Sequence, residues 1–251
     1  MRLGKRESTV ARRKVVLIIV EGPSDAEALE VVLTKLYSKN KIHVHIKFGD
    51  ITSERETNSG NILAKLGEIL KKCKEKYNLR EDDFHEIIHI VDMDGAFISD
   101  DAIVEDEVAD RPIYSLMDIR TSDVHGITCR NERKRKCLNK ISSTRTLSGI
   151  PYQVYFMSCN LDHVLYDKLN STDEEKEKDA LCFAKKYRSN IPEFVTFISN
   201  SSFTVKGSYL DSWAFIKEEK RSLERFTNLR VCIERAQESL ASEKIQKSSE
   251  G

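Results

Sequence analysis

Four carboxylates stand directly after two apolar segments of this sequence. Glu21 and Asp25 follow the run from Val15 to Val20, and Asp92 and Asp94 end a second apolar run further along. Acidic side chains held close together repel one another, and a polyvalent cation relieves that repulsion. Hard oxygen ligands of this kind suit Mg2+ or Mn2+. The pattern therefore predicts a metal site, provided that both segments end at the same edge of one sheet.

Different positions in this set suit different chemistry. Asp92 and Asp94 are two residues apart on an extended chain, so their side chains point the same way and can share a metal. Glu21 is either a further ligand or the general base or acid for the attacking or leaving oxygen. Asp25 lies in the first turn of a helix and faces the same cleft. We therefore expect Glu21, Asp92 and Asp94 to be catalytic, and Asp25 to join them as a metal ligand.

The segments that position these acids alternate between strand and helix patterns. Apolar and β-branched runs predict strands over residues 15–20, 42–48 and 86–92. Helical spacing of apolar residues predicts helices over 25–36 and 61–76. This order is typical of an α/β fold, a parallel sheet with helices on both faces. Because the carboxyl ends of parallel strands lie along one edge, the fold brings the four acids together.

After the third strand the sequence changes character. Residues 96–128 are rich in acids and predict an irregular insertion, and a basic helix over 130–140 follows. A fourth strand is predicted over 152–158. The region 161–240 is predicted to be mostly helical, and the polar tail 241–251 to be disordered.

Composition limits the classes of function. Among the 251 residues, 41 Lys and Arg balance 41 Asp and Glu, so nucleic-acid binding must come from local patches. No apolar run has the length of a membrane span, so we expect no membrane partner. The basic extension over residues 1–14 leads into a strand-sized segment rather than a signal sequence. The six cysteines form no CxxC pair and are expected to be reduced thiols of a cytoplasmic protein.

The two acidic segments together resemble the Toprim family. Its signature is a Glu-Gly after the first strand and an Asp-x-Asp after a later one, matched here by Glu21-Gly22 and Asp92-Met93-Asp94. The resemblance covers residues 15–160, interrupted by the insertion. It implies a compact Toprim-type fold and a Mg2+ site that cuts or joins phosphodiesters. Asp25 matches an additional acid of nuclease-type members, which favours a two-metal site.

Topoisomerase and primase members carry further domains, and neither a DNA-gate domain nor a zinc-binding primase module is visible here. The chain is more similar to small standalone bacterial Toprim nucleases, such as the RloB-like and related phage-defence proteins. In the RloB-like group, Ser-Asn-Pro-x-Phe-Glu opens a helix after a strand. The segment Ser158 to Asp162 stands in that place, so the resemblance implies Asp162 as a further metal ligand. It also implies an ATPase partner that controls the nuclease.

A basic cluster before the fourth strand is the candidate nucleic-acid contact. Phosphate-backbone contacts are needed near an acidic metal site, and clustered cations supply them. A solvated helix face accounts for the same charges equally well. The cluster comprises Arg130, Arg133, Lys134, Arg135 and Lys136.

The expected function is a nuclease, dependent on Mg2+ or Mn2+, that hydrolyses phosphodiester bonds of DNA or RNA. Its expected context is that of a toxic effector in anti-phage defence under ATPase control. Two alternatives stay open: a regulatory nucleic-acid-binding subunit of the same fold without turnover, and an RNA-maturation nuclease. DNA and RNA are equally compatible with the residues, and so are a monomer and a homo-oligomer.

Overall fold

A computed structural model of the chain describes residues 14–37 and 50–238, together with the backbone of residues 41–46. The predicted basic extension therefore lies outside the described residues except for Lys14, and so does the predicted disordered tail. Within the described part, no helix is both long and apolar enough to cross a bilayer. All six cysteines carry free thiols, as predicted.

The first half of the chain builds the centre of the main sheet. Strand β1 (Val15–Val20) leads into helix α1 (Pro23–Leu36) and strand β2 (Lys41–Ile46). Helix α2 (Ile62–Tyr77) and strand β3 (Phe84–Asp92) follow. Every residue of β1 is buried, which suits a strand covered on both faces. The three strands and two helices predicted from apolar spacing are confirmed, because each predicted segment coincides with one of these elements.

The acidic segment after β3 is more ordered than predicted. Strands β4 (Ile103–Glu105), β5 (Ile113–Tyr114) and β6 (Ile119–Thr121) form a second sheet in the order β4–β6–β5. Helix α3 (Val124–Ser143) then begins within the predicted insertion. Strands of two or three residues are too short to give a periodic signal. The small sheet is stabilised by its own apolar cluster, which comprises Ile98, Ala102, Ile103, Ile119, Ile127 and Leu223.

Strands β7 (Thr146–Leu147) and β8 (Ile150–Met157) complete the main sheet, whose order is β2–β1–β3–β8–β7. Strands β2, β1, β3 and β8 are parallel, and β7 runs antiparallel to β8. The chain thus moves outward from β1 to β2 and then crosses back to β3 on the other side of β1. Right-handed crossovers consequently place α1 and α2 on opposite faces. This reversal creates a switch point between the carboxyl ends of β1 and β3, where open α/β sheets bind ligands.

The C-terminal part is mostly helical. It contains α4 (Leu161–Tyr166), α5 (Asp173–Tyr187), α6 (Ile191–Asn200) and α7 (Tyr209–Ile216). Residues 229–238 are also helical. Helix α5 packs against α1, so the C-terminal helices cover one face of the main sheet. They share its apolar core through buried side chains that include Val164, Phe183, Phe194, Trp213 and Ile233.

Candidate metal centre

The switch point of the sheet brings three of the predicted acids together. Strands β1 and β3 are hydrogen-bonded neighbours, with Ile19 opposite His89, so Glu21 and Asp92 follow adjacent strand ends. Burial raises the pKa of Glu21 well above its usual value, and the carboxylates of Asp92 and Asp94 contribute to that shift. Burial also raises the pKa of Asp92. Close approach of carboxylates in a partly desolvated place is the electrostatic condition that favours a bound cation.

Asp50 is a further acid at this edge that the sequence analysis missed. It follows β2, the neighbour of β1. Its Oδ1 accepts hydrogen bonds from the backbone N–H of Thr52 (2.7 Å) and from the Thr52 hydroxyl (2.5 Å). Burial works to raise the pKa of Asp50, but the Lys134 ammonium holds it well below the usual range. The sequence signal was weaker than for Glu21 and Asp92, because β2 alternates polar and apolar residues and ends at Ile46, before Asp50.

Lys134 extends from α3 into the centre of these acids. Its Nζ lies 2.5 Å from Oδ2 of Asp50 and 2.5 Å from Oδ2 of Asp94, and its side chain is completely buried. Burial disfavours the ammonium, yet Asp50, Asp94 and Glu21 raise its pKa well above the usual value. The predicted role of Lys134 as a surface contact to phosphate is therefore corrected. A buried ammonium held by two carboxylates cannot also reach the backbone of a nucleic acid.

Arg130 also turns inward and supports the backbone beside Asp94. Its Nη2 donates to the carbonyl of Asp94 (2.8 Å), and its Nη1 donates to the Tyr114 hydroxyl (2.6 Å). Asp94 has a left-handed backbone with φ 47°, and Gly95 follows with φ 66°. A Cβ atom at Gly95 would lie 2.6 Å from Leu223, so this turn requires glycine. Arg130 thus fixes the turn that presents Asp94.

The remaining members of the basic cluster stay nearer the surface. Arg133 donates to the backbone carbonyl of Ser53, at 3.3 Å from Nε and 3.2 Å from Nη2. Arg135 lies 3.9 Å from Asp100, and its side chain is 31% exposed. Lys136 is 62% exposed and pairs with Glu132 one turn earlier in α3. Of the five predicted phosphate contacts, Arg133, Arg135 and Lys136 keep part of their side chains accessible, as the role needs.

Burial is the largest cause of the raised pKa of Asp92, and the carboxylates of Asp25 and Asp162 add to it. Asp25 Oδ2 accepts a hydrogen bond from the backbone N–H of Gly22 (2.9 Å) at the start of α1. Burial raises the pKa of Asp25 to about 6, and the Asp162 carboxylate adds to that effect. Asp162 is buried in α4, and its Oδ2 lies 3.8 Å from the ammonium of Lys176. We call Asp25 and Asp162 the outer group, and Glu21, Asp92 and Asp94 the inner group.

The donor chemistry of the inner group fits Mg2+ or Mn2+. Oε1 of Glu21 is buried and has no hydrogen-bond partner, so a cation would satisfy it. Neither Glu21 nor Asp92 forms an ion pair with another described residue. Among the residues that the structure describes, no three His, Cys, Asp or Glu side chains are arranged to enclose an ion. Mg2+ needs no such cage, because one or two carboxylates with water and substrate phosphate commonly hold it.

A cleft of about 590 Å³ lies beside the outer group, between the start of α1 and α5. Gly22 and Ser24 line it on one side, and Asp173, Lys176 and Leu181 line it on the other. Gly22 directly follows Glu21, and Lys176 pairs with Asp162. The cleft is therefore lined by neighbours of the acids at the switch point and not by those acids themselves.

Comparisons with known proteins add no relative. No family model, curated protein or solved structure matches the chain. The Toprim resemblance accordingly rests on the two acidic segments and the strands that precede them, and family membership stays a prediction.

Proposed function

We propose that this chain is a Mg2+-dependent nuclease of Toprim type that hydrolyses phosphodiester bonds of DNA or RNA. The observation that carries the proposal is the convergence of Glu21, Asp92 and Asp94 at the switch point between β1 and β3. The buried Oε1 of Glu21 has no hydrogen-bond partner, and a bound cation would interact with it. Paired acidic motifs, each after a buried parallel strand, also meet the structural context that the Toprim signature requires.

Each group of residues at the site has a different expected role. Glu21 and Asp92 would hold the metal ion, which when bound neutralises a phosphate oxygen and lowers the pKa of water. In the alternative role, Glu21 is not a ligand but takes a proton from the attacking water or returns one to the leaving oxygen, which its raised pKa suits. Arg135 and Lys136 attract the phosphate backbone toward the site. Asp25 and Asp162 would complete the negative surroundings of the ion.

Cleavage of a mixed panel tests this proposal and identifies the substrate. Plasmid DNA, single-stranded DNA and total tRNA are incubated with Mg2+ or Mn2+ and the wild-type, Glu21→Gln or Asp92→Asn protein. Glu107→Gln is the matched control, because it removes an exposed acid from the insertion. We expect cleavage that disappears in both site variants and in chelator but survives in the control. Cleavage that persists in folded Glu21→Gln and Asp92→Asn proteins would contradict the assignment.

A regulatory subunit without turnover is the second candidate. The observation that favours it is Lys134, whose ammonium already pairs with Asp50 and Asp94 and offsets one of their two negative charges. This candidate predicts that the folded wild-type protein retains nucleic acid in a gel-shift assay but cleaves no member of the panel. An RNA-maturation nuclease instead predicts cleavage confined to the RNA of the panel.

We also propose an ATPase partner and a role in anti-phage defence, both of which rest on the resemblance. The insertion provides one supporting feature, since Val108 is 91% exposed and Met117 is 61% exposed. Exposed large apolar side chains contribute to protein contact sites where they lie together. A partner ATPase that activates the wild-type chain but fails to activate Val108→Asp/Met117→Asp would support this role.

A further inference from the structure

The contact between α3 and the sheet edge contains a cation supplied by the protein. The Lys134 ammonium lies between Asp50 and Asp94, at 2.5 Å from one oxygen of each. Two carboxylates joined through one positive centre are what a bound divalent ion would otherwise produce. The ammonium occupies the space between the two facing oxygens, so a metal ion cannot lie there while Lys134 keeps this position.

We propose that Lys134 is the built-in cation of the Asp50–Asp94 pair and takes the place of a divalent ion there. The inference rests on the proposed function only for the remaining metal ion, which Glu21 and Asp92 would hold. Because Asp94 pairs with Lys134, we now expect one bound metal ion rather than the two that the resemblance at Asp25 favoured. Lys134 is accordingly a positioning residue that fixes Asp94 rather than a group that touches substrate.

Three features keep the Lys134 ammonium in this position. Asp50 is itself fixed, because Thr52 donates two hydrogen bonds to the oxygen that Lys134 does not contact. Neighbours of Lys134 on α3 anchor the helix to the same turn, since Arg130 donates to the carbonyl of Asp94 and Asn131 to that of Gly95. The Lys134 side chain is also completely buried. Without the ammonium, the two part-buried carboxylates of Asp50 and Asp94 would lose their shared counter-charge.

Counting bound Mn2+ tests the proposal directly. Free Mn2+ is measured by electron paramagnetic resonance during titration of wild-type, Lys134→Ala and Lys134→Ala/Asp50→Asn proteins. We expect Lys134→Ala to bind one more Mn2+ per chain than wild type, and the double variant to lose that additional ion. Lys140→Ala is the matched control, because it removes an exposed lysine from the same helix and should leave the count unchanged.

Stability supplies a second readout in case Lys134→Ala folds poorly without metal. Mn2+ should raise the Tm of Lys134→Ala by more than it raises the Tm of wild type or Lys140→Ala. Lys134→Ala that shows neither an additional ion nor this larger stabilisation overturns the proposal. The two proposals can be separated, because they predict different counts. A wild-type protein without Mn2+, beside a Lys134→Ala protein with one, supports the built-in cation and removes the metal site at Glu21 and Asp92.

Discussion

The backbone N–H of Leu161 donates a hydrogen bond to Oδ1 of Asp92 over 3.0 Å. This bond joins the end of β3 to the first residue of α4, the helix that contains Asp162. One oxygen of Asp92 thus positions a neighbouring element, and the other stays available to the acidic site. Asp92 is therefore both a candidate ligand and a structural acceptor.

Two substitutions at Asp92 should separate these roles. Asn keeps an oxygen that can accept the bond from Leu161, whereas Ala leaves the N–H without an acceptor. We expect Asp92→Ala to unfold in urea with a free energy about 1 kcal/mol lower than that of Asp92→Asn. Both variants should lose metal-dependent cleavage. Equal stabilities would show that the bond to Leu161 contributes nothing.

Gly95 should tolerate no side chain. In Gly95→Ala the new Cβ would meet Leu223 at 2.6 Å and Ile119 at 3.0 Å, with φ in the left-handed region. We expect a loss of about 2 kcal/mol in the free energy of unfolding, the usual range for overpacking. Gly67→Ala in α2 is the control, because its Cβ meets nothing within 4 Å and should stabilise the helix by about 0.5 kcal/mol. Chemical denaturation of both proteins checks the contrast.

His89 should make stability fall in mild acid. It is buried beside the Tyr152 hydroxyl at 2.8 Å, and burial lowers its pKa from 6.5 to about 4. Between those two pH values, His89 is therefore protonated in the unfolded chain but neutral in the folded protein. The contribution, on the order of 3 kcal/mol, is fully present above pH 6.5 and is lost as pH falls toward 4.

The comparison of wild type with His89→Gln isolates this effect, because the raised pKa values of Glu21 and Asp92 act in the opposite direction in both proteins. Urea unfolding at pH 4.5, 5.5 and 7.5 gives the free energies. We expect a steeper loss toward acid in wild type than in the variant. Parallel curves would mean that His89 takes up its proton in the folded state at an ordinary pH.

Mn2+ affinity should decrease as the pH drops through about 6. The pKa of Asp25 is raised to about 6 by burial, and burial also raises the pKa values of Glu21 and Asp92. Protons then compete with the cation for the same oxygens. Calorimetric titrations at pH 5.5, 6.5 and 7.5 measure the trend, which should be shallower in Asp25→Asn and unchanged in Glu107→Gln. An affinity independent of pH would exclude these carboxyl groups as ligands.

Arg135 and Lys136 should account for part of any nucleic-acid affinity. Each substitution to Ala should weaken binding similarly for all sequences and reduce the slope of log K against log salt by about 1. Lys185→Ala on α5 is the control, because that exposed lysine lies on a different helix. Fluorescence anisotropy over a range of salt concentrations gives the slopes. Slopes that match wild type in both variants would place the nucleic acid elsewhere.

The sequence by itself determined the main strands, their helices and the edge at which the acids gather. Uninterrupted apolar runs such as Val15–Val20 form buried parallel strands because only a covered sheet satisfies them. Since each acidic motif directly follows such a run, its position at the carboxyl edge follows from local pattern alone. Asp50 does not meet this rule, because β2 alternates polar and apolar residues and ends before it.

Only the tertiary structure decided which charges meet. Lys134 is one of five cations in a basic stretch, and nothing in that stretch shows that it alone is buried between Asp50 and Asp94. Its partners lie 84 and 40 residues away, so the pairing depends on how α3 packs against the sheet edge. The bond from Leu161 to Asp92 spans 69 residues for the same reason. Periodicity reports which face of a segment is buried, whereas the contacts of a buried charge are set by the packing of distant segments.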